Sequence, residues 1–374
     1  MPVNSAAWLT GLHVSPLEVK PAVYTSPGAN EIVIKTSAVA INPVDWILQK
    51  DGGGMMYGWL KAPDILGYDV AGEVVEVGAE VTRLHVGDRV IGFAVGVEEK
   101  YNTPAKGGFQ NYVVLLSHMV SSIPASMSYE SAVVMPLGLA TAATGLFQGD
   151  QLGLPLPSVA PVSQGKTLLV WGGSTSVGCN AIQLGVAAGY EVITTASPKN
   201  FDYLKQLGAD QVFDYNSTTV IPDIIQALKG RRLAGAFSIG VGAADACFAI
   251  LDACAVGPDR KVSMASYPLP SPPPTGRFAT VHTIVFFMSW MIKNWIRSKA
   301  KSVKTSFIVG GSLVFTEDLG KKVFEGYLPQ ALEQRVFVPA PEPLVMEKRG
   351  LEYVQAAMDR QKAGVSAKKV VLSL

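Results

Sequence analysis

A chain of 374 residues is long enough for two lobes, each with its own core. Hydrophobic residues make up 48% and charged ones 16%, which excludes general disorder and points to an enzyme-sized globule. With 31 basic and 30 acidic side chains the formal charge is +1, so no broad electrostatic footprint selects nucleic acid or an anionic membrane; the expected partners are small molecules.

The opening segment MPVNSAAWLTGL has neither the basic head nor the apolar stretch of a secretory signal, so a cytoplasmic location is expected. From Glu31 to about Val120 come short β-rich runs broken by Gly and Pro: EIVIKTSAVAI, YDVAGEVVEVG, VGDRVIGF and FQNYVVL. They predict an antiparallel β lobe. Small and apolar residues from Tyr129 to Phe147 then predict a buried helical stretch, followed by a Pro-rich loop, LGLPLPSVAPVS. Beginning at Lys166 the rhythm becomes strand, helix, strand, helix: KTLLVWGG, NAIQLGVAAG, YEVITTAS, FDYLKQLG and QVFDY. That alternation predicts an α/β lobe with a doubly wound parallel sheet. The linker SYPLPSPPPTGRF reads as an exposed loop. Beyond it, Val281 to Ile292 is too short for a span, which needs roughly 20 apolar residues, and predicts a buried helix, an interface or a pocket wall. Lys293, Arg297, Lys299, Lys301 and Lys304 follow at loosely helical spacing. They suit a solvated helix face or, as a sharper alternative, a docking patch for an acidic carrier domain. The three cysteines, Cys179, Cys247 and Cys254, form no CxxC pair, so neither a disulfide framework nor a cysteine zinc site is encoded.

The run Gly172, Gly173, Ser174, Thr175, Ser176, Val177, Gly178 follows the strand TLLVW and opens a helix. Such a turn lets a phosphate approach a helix N-terminus, where amides and the helix dipole favour negative charge. Nineteen residues beyond Gly178 the next strand ends at Ser197, followed by Pro198, Lys199 and Asn200, where an NAD-binding protein carries an acid for the ribose 2′-hydroxyl. Hydroxyl, ammonium and amide donors there suit a 2′-phosphate instead, which favours NADPH. Tyr215, ending the third strand, is a further candidate donor, and simple packing is its alternative.

Several separate motifs, AINPVDW at Ala40 to Trp46, ILGYDVAGEVVEVG at Ile65 to Gly78, GDRVIG, the Gly-rich turn and the final GVSAKKVVLSL, together resemble the medium-chain dehydrogenase/reductases. The run WGGST followed by SPKNFDYLKQLGADQVFDY is similar to the zinc-free, quinone-reductase-like branch and to fungal stand-alone enoyl reductases that partner polyketide synthases. The resemblance implies a GroES-like β-rich catalytic domain at residues 1–127 and 326–374, and an inserted Rossmann NADPH-binding domain at 128–325. It implies no catalytic zinc, because AINPVD lacks a Cys and Gly67 is followed by Tyr68 and Asp69; residues 97–108 also lack the cysteines of a structural zinc loop. His13, His85, His118 and His282 have no ligand spacing.

By the same resemblance Asn42, Val44, Asp45 and Trp46 border the nicotinamide and ribose, with Thr141 near the pyrophosphate or ring amide, and Ile47, Val365 and Ser366 complete the cofactor-binding set. Asp45 has a second reading as a helix cap. Related enoyl reductases carry a Lys after the Asp, whereas here the run is Asp45, Trp46, Ile47. Tyr57, ten residues before Gly67, and Tyr68 are the candidate proton donors. Met135, Leu137, Gly138, His282, Val285 and Phe286 are the candidate substrate walls, implying an extended hydrophobic substrate, free or carrier-tethered. The expected activity is NADPH-dependent reduction of an enone or enoyl thioester, in a monomer or homodimer. NADPH quinone oxidoreduction and a non-catalytic NADPH-binding partner protein are the alternatives.

Overall fold

The computed structural model describes residues 2–54, 57–254, 260–266, 278–308 and 311–374. Most of the Pro-rich linker SYPLPSPPPTGRF therefore lies outside the described residues. The chain divides into two compact units, Met1–Ala140 with Leu313–Leu374, and Thr141–Ser312. Both boundaries fall about a dozen residues from the sequence expectation of 127/128 and 325/326, the first of them inside the helix Pro136–Phe147.

In the first unit the central strand is Glu31–Ala40, flanked by Asp69–Val77 on one side and by Tyr112–Leu116 and Lys368–Ser373 on the other. Ile32, Val33 and Ile34 are all buried, so this strand is covered on both faces, which accounts for its near-continuous apolar run. Register then decides which polar residues meet. Val371 lies opposite Ala40, and Asp69 also lies opposite Ala40 on the other side. Continuing the antiparallel pairing by two residues brings Lys369 level with Asn42, just past the end of the central strand.

The second unit carries a parallel sheet in the order Gln211–Asp214, Glu191–Ala196, Thr167–Trp171, Leu233–Ser238, Lys261–Met264, Lys304–Phe307. This is the doubly wound α/β topology expected from the alternating strands and helices. Thr167–Trp171 is buried at every position, as a central strand covered by helices on both faces must be. Its core packs Leu169, Ile193, Ala236 and Val262 of the sheet against Ile224, Cys247, Ile250 and Leu251 of the helices. Among the described residues one stretch, Tyr129–Phe147, is apolar and long enough to cross a membrane, and 83% of its most apolar window is buried inside the fold.

Candidate functional site

In the second unit the strand Thr167–Trp171 leads through the Gly-rich turn into the helix Ser176–Ala187. Gly172 has φ +88, a conformation that side-chain-bearing residues rarely adopt. A Cβ at Gly178 would run into the Gly172 carbonyl oxygen, so only glycine lets the helix start this close to the turn. Thr175 caps the helix: its Oγ1 accepts from the Gly178 amide at 2.9 Å and donates to the Gly172 carbonyl at 2.9 Å. Thr195, in the next strand, accepts the Gly172 amide on its hydroxyl at 3.0 Å and the Gly173 amide on its carbonyl at 2.9 Å. The turn is thus held rigid from behind while the helix N-terminus faces outward. At the end of that strand, the Ser197 hydroxyl donates to the Tyr215 hydroxyl at 3.3 Å, Lys199 is exposed and Asn200 is buried. Thr195, which sequence reasoning missed, holds the turn from a buried strand position that looks like any β-branched residue.

The polar centre of the first unit surrounds the start of the helix Pro43–Asp51. Asp45 is fully buried, and its Oδ2 accepts the Asn42 amide at 2.7 Å, closing the helix N-terminus. Its Oδ1 has no partner, and burial pushes the carboxyl up to about 8, with the nearby Asp69 adding to the rise. The Asn42 side chain donates to Asp69 at 2.9 Å and accepts from the Lys369 ammonium at 2.5 Å. Lys369 also pairs with Asp69 at 2.8 Å, and the other Asp69 oxygen accepts the Leu137 amide at 2.6 Å. Sequence reasoning treated the absent Lys at Ile47 as the loss of a cation. The structure supplies a buried one from the far end of the chain, and the missed signal is a lysine in the otherwise apolar run KVVL.

Val44 and Trp46 are partly exposed and Ile47 is 39% exposed, while the Trp46 indole donates to Gln361 at 2.5 Å. Val365 is half-buried and Ser366 exposed. The Tyr68 hydroxyl donates to the Tyr57 hydroxyl at 3.2 Å, so the structure brings the two candidate donors together. Tyr68 is fully buried and stacked on Phe93, and burial raises its hydroxyl well above the usual phenol range. Tyr57 is half-buried.

Of the candidate substrate walls, Met135 and Gly138 are buried and Leu137 is half-buried in the first unit, and Thr141, at the start of the second, is buried too. In the second unit His282 and Val285 are exposed and Phe286 is half-buried on the helix Ala279–Lys301. The stretch beginning at Val281 is not a buried helix: Val281, Val285, Ile292 and Trp295 are each more than half exposed. Part of the basic run is paired within the unit, while Lys299 and Lys304 are exposed. Lys293 pairs with Asp245 at 3.7 Å, Arg297 also binds Asp245, and Lys301 pairs with Asp252 at 3.2 Å, both acids lying on the helix Ala243–Cys254.

Residues 28–125 match the family model described as alcohol dehydrogenase GroES-like domain, and residues 176–297 the one described as zinc-binding dehydrogenase. Dehydrogenase pigH of Monascus ruber is 54% identical over 375 residues, covering 100% of both chains. Trans-enoyl reductase himH of Aspergillus japonicus is 35% identical, covering 100% of this chain and 98% of its own. A solved structure of CurK enoyl reductase superposes with a TM-score of 0.72 at 20% identity over 99% of each chain, a likeness of fold. Among the described residues no three His, Cys, Asp or Glu side chains gather, and Asp69 is committed to Lys369, Asn42 and the Leu137 amide. With both family models matched in order along one chain, and a full-length relative at 54% identity, the chain belongs to the medium-chain dehydrogenase/reductase family of oxidoreductases.

Proposed function

We propose that this oxidoreductase uses NADPH to reduce an activated carbon–carbon double bond, in an enone or enoyl thioester, on a hydrophobic substrate that is free or tethered to the carrier of a polyketide synthase. The observation that carries this reading is the polar centre of the first unit. It offers protic groups, Tyr57 and Tyr68, and a cation already neutralised by Asp69, in place of metal ligands. Conjugate reduction needs a hydride at the β-carbon and a proton at the α-carbon, and no Lewis acid. The name of the full-length relative himH, a trans-enoyl reductase, favours the same chemistry.

NADPH, when bound, supplies the hydride. In the second unit the turn Gly172–Gly178 and the N-terminus of Ser176–Ala187 receive the pyrophosphate, and Ser197, Lys199, Asn200 and Tyr215 receive the 2′-phosphate. In the first unit the half-buried Tyr57 is the proton donor, with Tyr68 behind it.

Two measurements test these assignments. Lys199→Ala is expected to weaken NADPH binding by about tenfold, the loss of one exposed charge-assisted contact, and to leave NADH binding within about twofold. Titration of intrinsic fluorescence with each nucleotide reads this, and equal weakening of both removes the 2′-phosphate assignment. The reaction itself is read as loss of NADPH absorbance with the N-acetylcysteamine thioester of crotonic acid, with a metal chelator expected to change nothing. Turnover of 1,4-benzoquinone alone would replace the reading with quinone reduction. NADPH binding with neither turnover would make the chain a non-catalytic partner.

A further inference from the structure

Glu98 lies in the loop after the strand Arg89–Phe93 and is 4% exposed. The loop is pinned in place: the Tyr101 and Asn102 amides donate to the Glu98 carbonyl at 2.9 and 2.8 Å, and the Trp59 indole donates to the Val97 carbonyl at 3.0 Å. Asn102 returns a bond to the Trp59 carbonyl at 3.2 Å, and the Trp59 ring lies 5.4 Å from that of Tyr57. One architecture therefore sets both Glu98 and Tyr57. The Glu98 Oε1 is buried without a partner, and no cation pairs with this residue among the described residues. The lysines of the same loop are turned elsewhere, Lys106 to Glu31 at 2.5 Å and Lys100 over the Tyr101 ring. A buried carboxyl with no cation and one oxygen unpartnered costs stability, so its presence calls for a task.

We infer that Glu98 is the proton store behind Tyr57, a buried carboxyl that passes its proton outward through the Tyr68 hydroxyl. Burial decreases along the series, from Glu98 and Tyr68, both enclosed, to the half-buried Tyr57. The hydrogen bond between the tyrosines already points the right way, with Tyr68 donating to Tyr57. The coupling at the inner end runs in both directions: Glu98 raises Tyr68, while the Tyr68 hydroxyl favours the ionised form of Glu98. Burial outweighs that influence and pushes the Glu98 carboxyl up to about 7. The other titratable groups acting on Tyr68 are Tyr57 and, from the helix Pro43–Asp51, Asp45.

The role rests on the conjugate reduction proposed above. Once hydride has added to the β-carbon, the enolate α-carbon takes the Tyr57 proton. Tyr57 is restored by Tyr68, Tyr68 by Glu98, and the resulting carboxylate regains a proton from water. Nothing is oxidised or reduced in this relay. Glu98 acts through the tyrosines and not on the substrate.

Two readouts test it. The first needs no turnover: the infrared difference between wild type and Glu98→Gln at pH 6 should contain the C=O stretch of one protonated carboxyl, beyond the Asp45 and Asp64 signals both proteins share, and this band should fade towards pH 8 and titrate at a shifted pH in Tyr68→Phe. Absence of the band, or indifference to Tyr68→Phe, overturns the proton store whatever the activity. The second uses the crotonyl thioester. Glu98→Gln should lower kcat by about tenfold or more, less than the roughly 10²–10⁴-fold contribution of a general acid because Glu98 acts only through the tyrosines, with KM within about twofold and a larger solvent isotope effect. Glu98→Asp should recover part of the rate. A Glu98→Gln protein with the wild-type kcat and isotope effect overturns the relay. A wild type that never reduces the thioester but shows the Tyr68-dependent band overturns the proposed reaction and upholds the store.

Discussion

Lys369→Met is expected to lower the free energy of unfolding by about 3–5 kcal/mol, the cost of leaving a buried charge without its partner. Lys369 is 4% exposed and Asp69 fully buried, so neither can turn to water when the other is removed. Asp69 would keep the Asn42 side chain and the Leu137 amide, which bind its charge without neutralising it. Combining Lys369→Met with Asp69→Asn should restore more than half of the loss, because the uncompensated charge then disappears. The neighbouring residue provides the control. Lys368 pairs with Glu342 at 3.2 Å on the surface, and Lys368→Met should cost under about 1 kcal/mol. Urea denaturation of the four proteins reads all of this from the midpoints at constant slope. A Lys369→Met protein no weaker than Lys368→Met would mean that the buried pair does not hold the C-terminal strand to the strand that begins at Asp69.

The pH dependence of stability is the second large effect. Asp45 has an ordinary value of 3.8 and is pushed by burial to about 8 in the fold. The folded state therefore keeps its proton where the unfolded chain has released it. The stabilisation this gives is fully present below the unfolded value and is lost as pH rises through the folded one. Between pH 5 and pH 7 the contribution of Asp45 falls by about 1.4 kcal/mol per pH unit, or roughly 2–3 kcal/mol in all. Glu98, raised to about 7, and Asp64, raised to about 6, add to the trend with the same sign. Wild-type protein should accordingly unfold at lower temperature at pH 7.5 than at pH 5.5. Asp45→Asn keeps an oxygen for the Asn42 amide and has no charge to bury, so its melting temperature should fall less over the same interval. Parallel curves for the two proteins would show that Asp45 is not the group responsible.

The sequence by itself determined many of the elements and the glycine turn between strand and helix. Alternating strand and helix patterns, and glycines at the strand-to-helix junction, express constraints among residues close along the chain. That is why the parallel strands Thr167–Trp171, Glu191–Ala196 and Gln211–Asp214 and the Gly172–Gly178 turn match what was read from local pattern, whereas the other three strands of the sheet were not read. The basic run after Ile292 shows where such reading stops. Spacing marks a charged helix face, but the acids that neutralise Lys293, Arg297 and Lys301 belong to another helix. Glu98 likewise sits in VGVEEK, a segment with the composition of any polar loop, and only packing buries it beside Tyr68. The polar centre of the first unit lay furthest from view. Asn42 and Lys369 are 327 residues apart, and what joins them is the antiparallel register of Lys368–Ser373 on Glu31–Ala40. A shift of one residue would turn Lys369 to solvent and Lys368 inward, so the identity of the buried cation belongs to strand pairing, which no local pattern encodes.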